Sequence, residues 1–390
     1  MADNVDAPKG VLLFLAGGPG QPGIFLAGRI PTRMPEVVAQ YRLVVLDQRG
    51  TGESGAIDCP ELQAQVGASD VTAPTRDAVR ACAAILGQTR RYYSTTDTVE
   101  DLDFLRRALG VHKMVVDGVS YGAYVAARYA VAHPRNTSKI ILDSVLPHLD
   151  PQRDDAMYLA ALRATDRVLP SACAALPDCD FDPVDDLAWV VRNSADSVPI
   201  FDLMIVWNFI DRNYHDFMFA VHAARNGDSS TLDGLVASLP DFNGAPPGAF
   251  SSGLHAATIC ADMPMPWGDA SAPEQIRQAA LDRAEARLSE SDLHPWLPAT
   301  GAGNGFVQTC LNWPRTKLGP DRLAHRVPHS VPTLIVNGDH DLVTPLEWAF
   351  EEARYAPNHQ VVVVPGAAHS VQTREPGTVA RDAVRAFLLG

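Results

Sequence analysis

Short apolar runs alternate along the chain with longer stretches whose apolar residues recur every three to four positions. Val11–Leu15, Leu43–Leu46, Met114–Val116 and Ile140–Leu142 are strand-sized and nearly all apolar, as expected of strands buried on both faces. Thr98–Leu109 places Val99, Leu102, Leu105 and Leu109 on one helical face. Tyr121–Ala132 reads as a helix closed by His133-Pro134, because a residue before proline is driven out of the helical region. This alternation predicts a mostly parallel sheet with flanking helices. It lapses from Pro147 to Pro328, where helical patterns at Asp154–Val168, Asp211–Arg225 and Pro273–Leu288 are joined by the connectors Gly244–Gly248 and Gly301–Gly305. It resumes with strands Thr333–Val336 and Val361–Val364 and a closing helix, Thr378–Leu389. The expected organisation is an α/β core in two parts, 1–146 and 329–390, with a mainly helical segment, 147–328, inserted between two core strands. An insertion of that length in a compact domain is usually functional, and a cap or lid is the expectation.

Composition narrows the choice of function. With 46% hydrophobic and 20% charged residues, the 390-residue chain is folded rather than disordered. A net charge of -14 repels phosphate backbones and anionic lipid, so neither nucleic acid nor a membrane surface is an expected partner. No apolar run reaches the roughly 18 to 20 residues of a membrane-spanning helix. No HExxH or other metal-ligand spacing is present, and the glycine loop Gly17-Gly18-Pro19-Gly20 lacks both the P-loop lysine and the dinucleotide spacing. No metal and no cofactor are therefore expected. Cys59, Cys82, Cys173, Cys179, Cys260 and Cys310 form no CxxC pair. They allow 15 pairings, and six buried thiols are the other reading.

The candidate chemistry centres on Gly118-Val119-Ser120-Tyr121-Gly122. A serine nucleophile on a sharp strand-to-helix turn needs small neighbours, and Met114–Val116 supplies the strand and Tyr121–Ala132 the helix. Chance alone yields about 0.1 such pentapeptides in a chain this long. In α/β-hydrolases the acid and then the histidine follow on loops after later strands. Here Asp339 and Asp341 follow Thr333–Val336, and His369 follows Val361–Val364 in a Gly- and Ala-rich loop. Spacing alone leaves Asp339 and Asp341 open. One oxyanion donor is expected from the Tyr121 amide and the other from the Gly17–Gly20 loop.

Taken with Asp47-Gln48-Arg49-Gly50-Thr51-Gly52-Glu53-Ser54 and Asp341-Leu342-Val343-Thr344-Pro345, these motifs run in order across nearly the whole chain. The chain resembles the proline iminopeptidase and tripeptidyl aminopeptidase branch of the α/β-hydrolases. The resemblance implies Ser120 as nucleophile, Asp341 rather than Asp339 as the acid, His369 as the base, and Gly18 and Tyr121 as oxyanion donors. Arg49 would hold neighbouring loops. It also implies bridges Cys59–Cys82, Cys173–Cys179 and Cys260–Cys310, hence an extracytoplasmic protein. Asp3 and Asp6 fit no leader, and Met1 alone would imply a cytoplasmic chain; the resemblance implies that a leader and the first strands lie upstream of it. One departure is Ala16, where many members carry histidine before Gly-Gly-Pro-Gly.

The expected substrate is a peptide, cleaved near its N-terminus through an acyl-enzyme, with release of a proline-type residue or a di- or tripeptide. Recognising a free amine requires a carboxylate at the pocket. Asp262, beside Cys260, is the first candidate, ahead of Asp202, Asp211 and Asp216. Trp207, Phe209, Tyr214, Phe217, Phe219, Trp267 and Trp313 are core or pocket residues, mostly core. A small ester or lactone is the alternative substrate, since fold and triad do not fix the leaving group. A non-catalytic binding protein on the same scaffold is the remaining reading.

Overall fold

The computed structural model describes residues 4–147, 157–319 and 326–390. Six strands, β1 (Val11–Leu15), β2 (Arg42–Val45), β3 (Met114–Val119), β4 (Thr137–Asp143), β5 (Thr333–Gly338) and β6 (His359–Val364), form one sheet in the order β2-β1-β3-β4-β5-β6. Every pairing is parallel. The pleat sends alternate residues to opposite layers. Val11, Leu13 and Leu15 join one apolar cluster, while Leu12 and Phe14 join the other with Val384 and Leu388 of the closing helix. The fully apolar strands follow from this, because both faces of the sheet are covered.

The helices that bear on the site are α1 (Thr95–Ala108), α2 (Tyr121–Ala132), α3 (Leu159–Ala174), α4 (Val198–Ile210), α5 (His215–Arg225), α6 (Ser252–Asp262), α7 (Glu274–Glu285), α8 (Gly305–Asn312) and α9 (Val379–Leu389). Helix α1 starts earlier than the Thr98 expected from periodicity, because Ser94 and Asp97 form a reciprocal capping box. Helix α5 starts later than Asp211, whose carboxylate instead accepts the Asn213 and His215 amides before the first turn. Helix α3 runs past Val168 and through Pro170, since Leu169, Ala172 and Cys173 continue its buried face. The expected helical residues 154–156 lie outside the described residues. Helix α4 is apolar nearly all round and has no period to read. Between β4 and β5 the described chain is helical, and it shares one apolar cluster with a face of the sheet.

Three disulfides join Cys59 to Cys82, Cys173 to Cys179 and Cys260 to Cys310. The last ties α6 to α8. Beside it, the fully buried Arg277 of α7 donates to the carbonyls of Cys310, Trp313, Ala270 and Ala272. In the chain-entropy account a bridge contributes more as its loop lengthens. The separations are 50 residues for Cys260–Cys310 and 6 for Cys173–Cys179. Replacing the first pair by serine is therefore expected to cost about 4 kcal/mol and the second about 2 kcal/mol. Urea unfolding of the two double variants checks the order.

Candidate active site

Ser120 stands between β3 and α2 with φ 59° and ψ -124°, a conformation that a side chain rarely adopts. The turn is tight enough that a Cβ on Gly118 would lie 2.0 Å from the Gly122 carbonyl oxygen, and one on Gly122 2.5 Å from that of Leu15. Glycine is required at both flanks by this contact. The turn leaves the Tyr121 amide at the first position of α2, free of a partner within the helix.

The loops after β5 and β6 meet at His369. Its Nδ1 lies 2.9 Å from Asp341 Oδ2 and 3.1 Å from Thr344 Oγ1. Asp341 is fully buried, and its Oδ1 accepts the amides of Val343 and Thr344, both at 2.9 Å. The Thr344 hydroxyl donates to Oδ2 at 2.8 Å. These four bonds explain why aspartate and threonine stand three residues apart in Asp341–Thr344, and they fix the carboxylate against the imidazole. Asp339 faces elsewhere: its Oδ1 accepts the Gly366 amide at 2.6 Å and ties the two loops together. The geometry thus places Asp341, not Asp339, on His369.

The turn carrying His369 is clamped from β4. Asp143 accepts the Val371 and Gln372 amides at 3.0 and 2.9 Å, and Ser144 Oγ accepts the Ser370 amide at 2.7 Å. Burial pushes the Asp143 carboxyl up to about 6, against these hydrogen bonds. On the opposite side, Arg49 grips Asp101 through two 2.6 Å bonds and the Tyr92 carbonyl at 2.7 Å. Asp47 accepts the amides of Ile24 and Glu53.

Ser120, His369, Gly17 and Gly18 line one cavity of about 400 Å³, within the usual range for small-molecule sites. Its other wall comes from the helical insertion, through Asp202, Ile205, Phe209 and Phe242 among others. Of the aromatic candidates, Phe209 reaches this cavity; Trp207, Tyr214, Phe217, Trp267 and Trp313 are buried, and Phe219 packs on Phe181 and His215.

The acids differ from the expected ranking. Asp262 is not among the residues lining the serine's cavity. Its Oδ2 accepts from both Thr95 N and Thr95 Oγ1 at 2.6 Å, and Thr95 Oγ1 meets the Tyr121 hydroxyl at 2.8 Å. It therefore braces the turn that carries Ser120 from behind Tyr121. Asp211 caps α5 and Asp216 pairs with His215, away from the cavity. The carboxylates in the cavity are Asp202 and Asp70. Asp202, the single charge within α4, accepts from Ser69 Oγ at 2.9 Å, from Asn243 Nδ2 at 3.3 Å and from Thr72 Oγ1. Burial, then the neighbouring Asp202, pushes Asp70 up to about 7. His255 of α6 is held neutral by burial, its pKa down to about 4. Its Nδ1–H donates to the Pro19 carbonyl at 2.8 Å, which leaves Nε2 as an acceptor 3.2 Å from Asp70 Oδ1. A protonated Asp70 completes that contact.

Asp70 escaped the sequence reading because its loop precedes the insertion in which an amine-binding acid was sought. Asp202 did carry a signal: one carboxylate in an otherwise apolar helix. Among the described residues no group of His, Cys, Asp and Glu is placed to hold a metal ion, and no helix is long and apolar enough to cross a membrane.

Comparison with known proteins places these features in context. A family model described as α/β hydrolase fold matches residues 10–184, and one described as TAP-like protein matches 299–390; together they take in more than half of the chain. The chain is similar to a tripeptidyl aminopeptidase of Streptomyces coelicolor, 26% identical over 382 residues, covering 88% of this chain and 67% of that protein. It is also similar to the serine protease Hip1 of Mycobacterium tuberculosis, 31% identical over 159 residues, 36% of this chain and 31% of the relative. A proline iminopeptidase of Neisseria gonorrhoeae is 30% identical over 143 residues, 35% of this chain and 34% of its own.

Proposed function

The chain belongs to the α/β-hydrolase family, and from that premise we propose that it is a serine aminopeptidase releasing a proline-type residue or a di- or tripeptide. In this reading Ser120 attacks the carbonyl while His369 takes its proton. The Gly18 and Tyr121 amides hold the oxyanion, and Asp341 stabilises the imidazolium. His369 then protonates the leaving nitrogen, and water repeats the sequence on the acyl-enzyme. The helical insertion acts as the cap, and the three disulfides favour an oxidising, extracytoplasmic setting.

The observation that carries the peptidase reading is the Asp70–Asp202 pair in the cavity that holds Ser120. Two carboxylates beside a nucleophile suit a substrate's free ammonium, whose charge compensates their mutual repulsion. A panel of free and N-acetylated Pro and Ala-Ala-Pro arylamides, beside p-nitrophenyl esters of short acids, tests it. Cleavage of the free arylamides, lost on acetylation and in Ser120→Ala, is the expected outcome. Ester cleavage indifferent to a free amine would instead make the protein a carboxylesterase or lactone hydrolase.

The pair also predicts a pH dependence. Asp70 ionises near pH 7, so below that value it carries a proton and attracts the ammonium less. KM for free-amine substrates is expected to rise as pH falls through about 7, while KM for the ester substrates stays flat. Separate kcat and KM profiles distinguish this from titration of the catalytic base.

A further inference from the structure

The cavity that holds the two acids also carries the other sign of charge, at Arg374. Arg374 closes the short helical turn Val371–Arg374 that follows His369. Its guanidinium lies 5.1 Å over the Phe209 ring, and the same ring meets the His369 imidazole edge-on at 5.3 Å. Its one hydrogen bond to the described chain is a long one, 3.5 Å from Nη1 to the Phe209 carbonyl. No carboxylate of the described residues lies within ion-pair distance of it. Arg29 stands near enough that its charge, after burial, pushes the Arg374 guanidinium down. Arg33 and Arg381 are close by but occupied, Arg33 with the Gln372 and Glu375 carbonyls and Arg381 with that of Glu375. Arginines thus gather about the Val371–Arg374 turn, with Arg374 reaching the cavity, on a chain whose net charge is -14.

The chemistry fixes which part of a peptide meets Arg374. His369 must hand its proton to the leaving nitrogen, so the leaving segment lies on the imidazole side. Asp70 is instead held by His255, which donates to the Pro19 carbonyl of the glycine loop. An extended residue advances roughly 3.4 Å, so a carboxylate one or two residues beyond the scissile bond comes within reach of a guanidinium one aromatic ring from His369. We infer that Arg374, with Arg29 beside it, binds the α-carboxylate of the leaving segment, so that the favoured substrates are short peptides with a free C-terminus one or two residues past the cleavage point. The inference rests on the peptidase reading. It places the protein after an endopeptidase-type reaction that supplies oligopeptides of a few residues. Both ends of such a substrate are read by charge, the ammonium by Asp70 and Asp202 and the carboxylate by Arg374.

The test compares Ala-Ala-Pro-Ala with its C-terminal amide, and both with a peptide extended by three further alanines, on the wild type, Arg374→Gln and Arg29→Gln. Wild-type kcat/KM is expected to favour the free acid over the amide by about fivefold or more, as for a charge-assisted hydrogen bond at a partly exposed site. That preference runs against the repulsion from the protein's overall charge. Arg374→Gln is expected to bring the ratio to near one, and Arg29→Gln to lower it partway. In the wild type the ratio shrinks as salt rises from 0.1 to 1 M, where screening shortens from about 10 Å to about 3 Å. Calorimetric binding of the two tetrapeptides to Ser120→Ala reads the same preference without turnover. Equal cleavage of acid and amide by the wild type, or a preference that survives Arg374→Gln, overturns the inference and leaves the peptidase reading standing. Cleavage of esters but of no peptide overturns both.

Discussion

Asp341→Asn is expected to lower kcat on a free Ala-Ala-Pro arylamide by about 10⁴-fold with little change in KM. The asparagine keeps the volume and can still accept the Val343 and Thr344 amides that now bond Oδ1. What it cannot supply is a second acceptor at the Oδ2 position, where His369 Nδ1 and the Thr344 hydroxyl both converge. An amide NH₂ there selects the wrong imidazole tautomer and offers no charge to the imidazolium. Asp339→Asn is the matched control. Its Oδ1 accepts an amide from Gly366, a bond that asparagine reproduces, so kcat is expected to fall less than about tenfold. Equal losses in the two variants would remove Asp341 from its proposed role.

The second large effect concerns the amine. Asp70→Asn combined with Asp202→Asn is expected to raise KM for free-amine arylamides by roughly 100-fold, the scale of losing a desolvated charge pair. The preference for free over acetylated substrate is expected to vanish with it. Stability should move the other way. An unfolded aspartate titrates near 3.9, whereas burial and Asp202 push Asp70 up to about 7. The folded state then binds the extra proton between these values, so stability falls as pH rises from about 4 to about 7 and stays low above it. Asp70→Asn removes that part of the slope, and the gap between thermal melts at pH 5 and pH 8 is expected to narrow, the remainder coming from Asp143. A variant that loses stability at pH 8 would contradict a buried, costly carboxylate at this position.

Much of the framework was legible because it rests on local rules. β3, α2 and their junction at Ser120 follow from an apolar run, a helical period and two glycines that the backbone contact at the turn demands. The pairing of Asp341 with His369 was ordered along the chain by motif, and Thr344 supplies its physical reason. The wall bearing Asp70 and Asp202 was less legible, because it depends on which loop crosses the mouth of the cavity. Asp262 stands two residues after a bridged cysteine, yet its carboxylate points behind Tyr121 to Thr95. Asp70 lies far from Asp202 in sequence, and the two share a wall through its loop neighbours Ser69 and Thr72, both of which hydrogen-bond Asp202. The charge at Arg374 was equally silent, since its meaning comes from Phe209, a residue of a different helix.

The arrangement of the disulfides has a consequence for how the chain assembles. Each bridge closes within its own stretch, over 23, 6 and 50 residues, and none joins the sheet to the helices inserted between β4 and β5. Oxidation of the insertion therefore does not have to wait for the sheet. The pairing of β4 with β5, Ile140 against Thr333, closes the longest loop in the sheet and is the slowest kind of contact to form. The turn that carries Ser120 belongs to the segment made early, while Asp341 and His369 arrive with the final two strands. On the proposed mechanism, a chain emerging from synthesis carries Ser120 long before it carries a base, and would stay chemically silent until its last section has docked.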